Sequence, residues 1–236
     1  MKYMGSKRRI AKDILPIILK DRKPEQWYVE PFAGGMNSIC EVDGNRIAND
    51  YHYYLIEMWK AIEGGWVPRL YTKEEYKDVQ INKDRYPPEV VGWVGFNCSY
   101  SGKYFGGYAG QTKTKIGTVR DYQVEAISNV LKQKEKLSGV VFRNQSYIDL
   151  DVPNNSIIYC DPPYQGTTKY KTGDFDHDIF WEWCRIMKKM GHTIFISEYN
   201  APEDFKCVWQ KELKSSLSAN GKIGGNKNSI EKLFTL

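Results

Sequence analysis

Two consecutive strand–turn–helix patterns near the amino terminus constrain the fold of this chain most strongly. A short aromatic and β-branched segment at 27–32 runs into the glycine pair 34–35, and residues 36–42 are predicted to begin a helix. Residues 46–50 form a second predicted strand, and an aromatic-rich helix pattern follows at 51–62. Two successive βα units favour a parallel sheet.

The same alternation resumes after residue 138. The further predicted elements are a helix at 8–19 with Ser6 as its N-cap, strands at 140–143, 157–160 and 193–197, a helix near 176–190 and a closing hairpin near 206–212 and 230–236. We therefore predict an α/β, Rossmann-like fold with a mostly parallel sheet and helices on both faces.

The middle of the chain differs in composition. Residues 92–120 contain seven glycines, six aromatic residues and four basic residues but no acidic residue, and 119–137 has a helical pattern. We predict that 1–63 and 139–236 form the main domain and that 64–138 is a small insert.

Composition excludes several classes of protein. With 236 residues, 41% hydrophobic and 27% charged, the chain suits a globular protein with a sizeable core. No apolar stretch approaches the roughly 18 residues that span a bilayer, so a cytoplasmic location is predicted. Five cysteines without a CxxC pair and three histidines predict neither a disulfide framework nor a metal site. The net charge of +5, with five basic and no acidic residues in 1–12, favours a polyanionic partner.

The tetrapeptide Asp161-Pro162-Pro163-Tyr164 directly follows the apolar strand 157–160. Ligands of open α/β sheets bind at the carboxyl ends of strands. The two prolines fix the backbone and remove two amide donors, which leaves carbonyl oxygens and one carboxylate as acceptors for an exocyclic amine. The ring of Tyr164 adds a surface on which a planar base can stack.

These residues and several other segments resemble the Dam-type N6-adenine enzymes among the amino-group DNA methyltransferases. The tetrapeptide matches the family's DPPY motif. The other matching segments, in chain order, are 2–7 (KWxGGK in the family), 28–35 (VEPFxGxG), 48–50 (the acidic strand end), 146–149 (upstream of DPPY), 196–199 (ISN) and 216–221 (SxSSNG).

The resemblance implies S-adenosylmethionine as cofactor and double-stranded DNA as partner, with the target adenine flipped out of the duplex. The implied catalytic residues are Asp161, Pro162, Pro163 and Tyr164. The implied cofactor-binding residues are Tyr3, Lys7, Phe32, Ala33, Gly34, Asp50, Tyr147 and Asp161. The chain lacks the GxGxxG of dinucleotide binders, which favours S-adenosylmethionine. Phe32 fits cofactor packing and core packing equally well.

The insert is the candidate DNA-reading region. The implied DNA-binding residues are Lys2, Asn97, Tyr100, Lys103 and Tyr104. Tyr100 or Tyr104 is predicted to fill the space of the flipped base, and the competing interpretation makes the aromatic residues of 92–120 a small core.

Three alternative functions stay open at this point. An N4-cytosine methyltransferase uses the same acceptors, although that group more often has serine at the position of Asp161. An RNA methyltransferase and a catalytically silent DNA-binding homologue are the others. Cys160 follows Tyr159 in an apolar strand, so we interpret it as a buried structural thiol and not as the nucleophile of a C5-methyltransferase.

Overall fold

The structure is a computed structural model that describes residues 1–114, 116–165, 175–214 and 228–236. The strands are β1 (Tyr28–Glu30), β2 (Arg46–Asn49), β3 (Gln111–Lys113), β4 (Val119–Asp121), β5 (Val140–Arg143), β6 (Ile157–Cys160), β7 (Thr193–Glu198), β8 (Lys206–Lys214) and β9 (Asn228–Thr235). The helices are α1 (Ala11–Ile18), α2 (Tyr53–Glu63), α3 (Lys73–Ile81), α4 (Pro88–Asn97), α5 (Tyr122–Lys134) and α6 (His177–Lys189).

Within these ranges seven strands form one sheet in the order β5-β2-β1-β6-β7-β9-β8. The pairs from β5 to β7 are parallel, whereas β9 runs antiparallel to β7 and β8. The strand order reverses between β1 and β6, which is the switch point where open α/β sheets bind ligands. The predicted Rossmann-like, mostly parallel fold and its closing hairpin are confirmed.

Helices cover both faces of the sheet. Neighbouring residues of each strand point to opposite faces, so they pack in two different cores. Tyr28 packs in a core with α1, α2, α4 and α5, and the adjacent Val29 packs in a second core with α6. Both residues are fully buried. Burial on two faces explains why no residue of β6 is charged or strongly polar.

The first core extends into the predicted insert. Trp93 and Phe96 of α4 are buried in the same core as Trp59 of α2. At the contact of these two helices, a Cβ atom on Gly92 would lie 2.1 Å from the carbonyl oxygen of Tyr54, so only glycine fits there. The segment 64–138 therefore shares the main core, and the β3–β4 hairpin is one of its exposed parts.

The local predictions were wrong in three places. Ser6 caps a 3-10 turn at Lys7–Arg9, and helix α1 begins only at Ala11 with Ile10 as its N-cap. Residues 36–42 form no helix beyond a 3-10 turn at Ile39–Glu41, because Met36 has a positive φ of 57° and lies buried in the core. Residues 119–121 form strand β4 rather than the start of α5. No helix among the described residues is long and apolar enough to cross a membrane.

Candidate active site

Four neighbouring strands end in acidic residues at one edge of the sheet. Glu30 is the last residue of β1 and Glu198 the last of β7, while Asp50 and Asp161 directly follow β2 and β6. Since β2, β1, β6 and β7 are adjacent and parallel, their carboxyl ends lie side by side. This edge contains the switch point, so the fold gathers acceptor groups where a ligand is expected.

Lys7 connects the tetrapeptide 161–164 to the last strand. Its Nζ lies 2.9 Å from Oδ1 of Asp161 and 3.5 Å from Oε2 of Glu231 on β9. The same Oε2 accepts a hydrogen bond of 2.8 Å from the hydroxyl of Tyr164, and Nζ lies 4.2 Å from the centre of the Tyr164 ring. We call Lys7, Asp161, Tyr164 and Glu231 the lysine cluster.

Burial determines the charges of this cluster. It raises the pKa of Asp161 to about 6, although the Lys7 ammonium limits the rise. Burial by itself lowers the pKa of Lys7, but the carboxylates of Asp161 and Glu231 outweigh it, so this pKa is above its ordinary value. The lysine is therefore a fixed cation, and Asp161 is a carboxylate that can exchange a proton near neutral pH.

Glu198 fixes the backbone on both sides of the site. One carboxylate oxygen accepts from the amide of Gln165, the residue after Tyr164, at 3.1 Å, and the other accepts from the amide of Tyr199 at 2.7 Å. The ring of Tyr199 meets that of Tyr164 at 4.7 Å, almost perpendicular. Burial raises the pKa of Glu198 to about 7, opposed by the two amides. Glu198 thus links the loop after Tyr164 to the end of β7.

Glu30 is a buried carboxyl beside this cluster. It is 3% exposed, and its Oε1 accepts a hydrogen bond of 2.9 Å from the hydroxyl of Tyr28. Burial raises its pKa to about 8, and the charge of Asp161 adds to the rise. The raised pKa favours the protonated form of Glu30, which can donate as well as accept a hydrogen bond.

Asp50 ties the glycine turn to the end of β2. Its Oδ2 accepts from the amide of Gly34 and its Oδ1 from the amide of His52, both at 2.9 Å. Gly34 has a positive φ, and a Cβ at this position would lie 2.7 Å from the ring of Tyr3. Tyr3 of the amino-terminal segment is therefore the residue that closely approaches the backbone of the turn. Each carboxylate oxygen of Asp50 can still accept a hydrogen bond from a further donor.

The other predicted cofactor residues lie around the same turn. Ala33 is buried and its amide donates to the carbonyl of Asn49 at 2.8 Å. The rings of Phe32 and Tyr147 are 5.2 Å apart, and both pack against Phe180 of α6. Both side chains are half-buried, so they are part of the second core and also reach its surface.

The predicted DNA-binding residues separate into two groups. Lys2, Tyr100 and Lys103 are exposed. Lys2 and Arg120 both pair with Glu125 and both lie over the ring of Tyr122. Tyr100 meets the same ring edge-on at 5.8 Å. We call Lys2, Tyr100, Arg120 and Tyr122 the hairpin patch, because it lies beside the β3–β4 hairpin.

Asn97 and Tyr104 require correction. Asn97 is 6% exposed and its side-chain amide contacts the sulfur of Met58 at 3.3 Å. Tyr104 packs against His52 at 4.4 Å and Phe96 at 4.9 Å in an aromatic cluster. Tyr104 therefore follows the core interpretation of the aromatic residues, and Asn97 is buried in the same core. We propose neither residue as a DNA contact.

Glu231 and Tyr122 had no signal in the sequence, and Glu30 and Glu198 entered only as parts of the 28–35 and 196–199 matches. Residues 216–221, which resemble SxSSNG, lie outside the described residues. Within the described ranges, no group of three or more His, Cys, Asp or Glu residues is arranged to hold a metal ion.

Comparison with known proteins identifies the family. Residues 3–87 and 92–216 match the model of the D12 class N6 adenine-specific DNA methyltransferases. The chain therefore belongs to this family. It is also 21% identical over 215 residues to the type II methyltransferase M.FokI of Planomicrobium okeanokoites. That match covers 80% of this chain, which spans about a third (32%) of the relative's length.

Solved structures of other methyltransferases are similar over most of the chain. A tRNA methyltransferase from Aquifex aeolicus aligns with a TM-score of 0.40 and 12% identity, covering 95% of this chain and 67% of that one. A putative methylase from Haemophilus influenzae aligns with a TM-score of 0.36 and 10% identity, covering 96% of this chain and 88% of the other.

Proposed function

We propose that this protein transfers the methyl group of S-adenosylmethionine to N6 of an adenine in double-stranded DNA. The observation that carries the proposal is the position of Asp161. Its carboxylate follows the switch-point strand β6, precedes two prolines and Tyr164, and lies 2.9 Å from the buried ammonium of Lys7. Membership of the D12 class supports adenine and DNA as targets.

The chemistry requires an activated amine. The N6 lone pair of adenine is delocalised into the ring, which makes it a poor nucleophile. Asp161 and the carbonyl oxygen of Pro162 accept the two N6 hydrogens and favour a nitrogen whose lone pair points out of the ring plane. The amine loses one proton on methylation, and Asp161, with a pKa of about 6, is suited to receive it.

The chain has suitable groups for the cofactor. S-Adenosylmethionine supplies an electrophilic methyl group on a sulfonium, together with ribose hydroxyls and an amino acid end. Asp50, with acceptor capacity beyond its two backbone partners, suits the ribose hydroxyls. Lys7 suits the carboxylate of the amino acid end. The other proposed cofactor contacts belong to the glycine turn or pack close to it, and they are Tyr3, Phe32, Ala33, Gly34 and Tyr147.

The hairpin patch is the proposed DNA contact. Lys2, Arg120 and the exposed Lys103 provide positive charge for phosphates, and Tyr100, which is 51% exposed, is a candidate wedge for the space of the flipped base. The flipped adenine stacks on Tyr164. In this proposal residues 64–138 recognise the target, although they share the core of the main domain.

The test is the transfer of tritiated methyl from S-adenosylmethionine to duplex DNA and to RNA of the same sequence. We expect label in the duplex with the wild type and a loss of at least about a thousandfold with Asp161→Ala, while binding of the duplex persists. Asp151→Ala, at an exposed position before β6, is the matched control and keeps wild-type transfer. Preferential labelling of RNA contradicts the DNA assignment.

A further inference from the structure

The position of Glu231 is not explained by the resemblance or by the roles assigned above. It lies on the final strand β9, 70 residues beyond Asp161 (231 − 161). Its side chain is only 12% exposed. Lys232 is the one basic residue adjacent to it in the sequence. A carboxylate so far withdrawn from water needs compensating partners.

The partners of Glu231 are the catalytic groups themselves. Oε2 accepts the hydroxyl proton of Tyr164 at 2.8 Å and lies 3.5 Å from Nζ of Lys7. Tyr164 is held through its hydroxyl, at the end of the ring opposite its backbone, so the hydrogen bond fixes the direction of the ring plane.

One ammonium serves two carboxylates in this arrangement. Nζ of Lys7 is 2.9 Å from Asp161 and 3.5 Å from Glu231, so the shorter contact is to the residue that must accept the adenine amine. Because Nζ of Lys7 has a second carboxylate within reach, it can move from Asp161 toward Glu231. Asp161 can then accept from N6 of adenine, and the charge of Lys7 stays compensated by Glu231.

We propose that Glu231 is a positioning residue for methyl transfer, which orients Tyr164 through its hydroxyl and shares the ammonium of Lys7 with Asp161. This role rests on the proposed function. Glu231 does not contact the reacting atoms, and it acts through Tyr164 and Lys7. The final β-hairpin therefore contributes to the active site as well as closing the sheet.

Two substitutions of Glu231 separate the effect of its hydrogen bond from the effect of its charge. Glu231→Gln keeps an acceptor for the Tyr164 hydroxyl but removes the negative charge, whereas Glu231→Leu removes both. Tyr164→Phe removes the hydroxyl and keeps the ring. Glu212→Gln is the matched control, because Glu212 is exposed on the neighbouring strand β8 of the same hairpin.

We expect Glu231→Leu to reduce kcat by about tenfold to a hundredfold, the effect of losing one hydrogen bond to a charged group. Combining it with Tyr164→Phe adds little to the larger single effect, because both changes remove the same contact. Thermal unfolding and S-adenosylmethionine binding of each variant report whether the fold persists.

Glu231→Gln provides a readout that a purely structural role does not change. The negative charge of Glu231 raises the pKa of Asp161, so its removal moves the acid limb of the kcat profile to lower pH. Among the described residues, the charged and titratable groups near Asp161 are Lys7, Glu30, Tyr159, Cys160, Tyr164, Glu198 and Glu231. Only the last of these is altered in this variant.

The outcomes distinguish this inference from the proposed function. Transfer by the wild type, with a lowered acid limb in Glu231→Gln and reduced kcat in Glu231→Leu, supports the role. Wild-type transfer with kcat in Glu231→Leu within about twofold and an unchanged profile in Glu231→Gln overturns the role of Glu231 alone. A folded wild type that binds S-adenosylmethionine but methylates neither DNA nor RNA overturns the proposed function, and this role with it.

Discussion

The ammonium nitrogen of Lys7 lies 2.9 Å from a carboxylate oxygen of Asp161, although the two residues are separated by most of the chain. The side chains are 9% and 22% exposed, so the pair is poorly screened by water. Breaking such a pair by removing one partner leaves an uncompensated charge in a largely buried site. This contact joins the amino-terminal segment to the tetrapeptide 161–164 and opposes the burial that raises the pKa of Asp161.

Replacing Lys7 by methionine should move the pH dependence of methyl transfer. The lysine lowers the pKa of Asp161, so its removal raises that pKa above the present value of about 6. The acid limb of the kcat profile should then shift upward by about one pH unit or more. The measurement is kcat between pH 5 and 9 at saturating cofactor, with Lys12→Met, an exposed position on α1, as control. A profile that superimposes on the wild type contradicts the assignment.

Glu198→Gln should loosen the loop that follows Tyr164. Both oxygens of Glu198 accept backbone amides, and glutamine provides only one such oxygen. One amide then loses its acceptor, at a cost of about 1–3 kcal/mol in the free energy of unfolding. We expect kcat/KM for DNA to fall by about tenfold, measured by steady-state kinetics together with denaturant unfolding. Glu203→Gln, at an exposed position, should change neither value, and an unchanged Glu198→Gln enzyme would refute this role.

Glu30 should make the protein less stable as the pH rises. In the folded state its carboxyl keeps its proton until about pH 8, whereas the ordinary value of 4.5 applies to the unfolded chain. The unfolded state therefore binds fewer protons between these values, and Glu30 lowers the free energy of unfolding by up to about 1.4 kcal/mol per pH unit. Its contribution is fully favourable below pH 4.5 and is lost by about pH 8.

Denaturant unfolding of Glu30→Gln across pH 5 to 9 tests this expectation. Glutamine keeps an acceptor for the Tyr28 hydroxyl and cannot ionise, so the decline of stability with pH should become shallower. Glu25→Gln, at an exposed position before β1, should decline as the wild type does. An equal slope in Glu30→Gln would mean that Glu30 ionises normally.

Asp50→Asn should weaken the binding of S-adenosylmethionine. The substitution removes the charge and places an amide group against the backbone donor of Gly34 or His52, which disturbs the turn as well as the proposed ribose contact. We expect Kd to rise by about tenfold to a hundredfold in calorimetric titration. Asp43→Asn, at an exposed position just before β2, is the control. An unchanged Kd would place the ribose elsewhere.

The sheet was predictable because its signals are local. Apolar strands, glycine turns and helix patterns lie within short windows, and each of the predicted sheet strands is present. The helix predicted at 36–42 failed because tertiary packing holds Met36 at a φ of 57°. Helix α3 had an available signal, since Thr72 and Glu75 form a capping box. Helix α4 is apolar on all sides and contains glycines, which hides its helical period.

The site was predictable only in part. Asp161 and Tyr164 belong to one motif, and Asp50 follows a recognisable strand. Glu231 is brought to them by strand pairing 70 residues later (231 − 161), and nothing near it in the sequence indicates that contact. Asn97 and Tyr104 show the opposite error, because their aromatic, glycine-rich surroundings are a buried core and not a DNA surface.

The most direct test of the central claim is the identity of the modified base. Unmethylated genomic DNA, which offers many short target sequences, is incubated with the protein and S-adenosylmethionine, digested to nucleosides and separated by chromatography with mass detection. The account predicts N6-methyladenine, absent from the Asp161→Ala reaction. N4-methylcytosine as the product, or equal amounts of N6-methyladenine with Asp161→Ala, would contradict it.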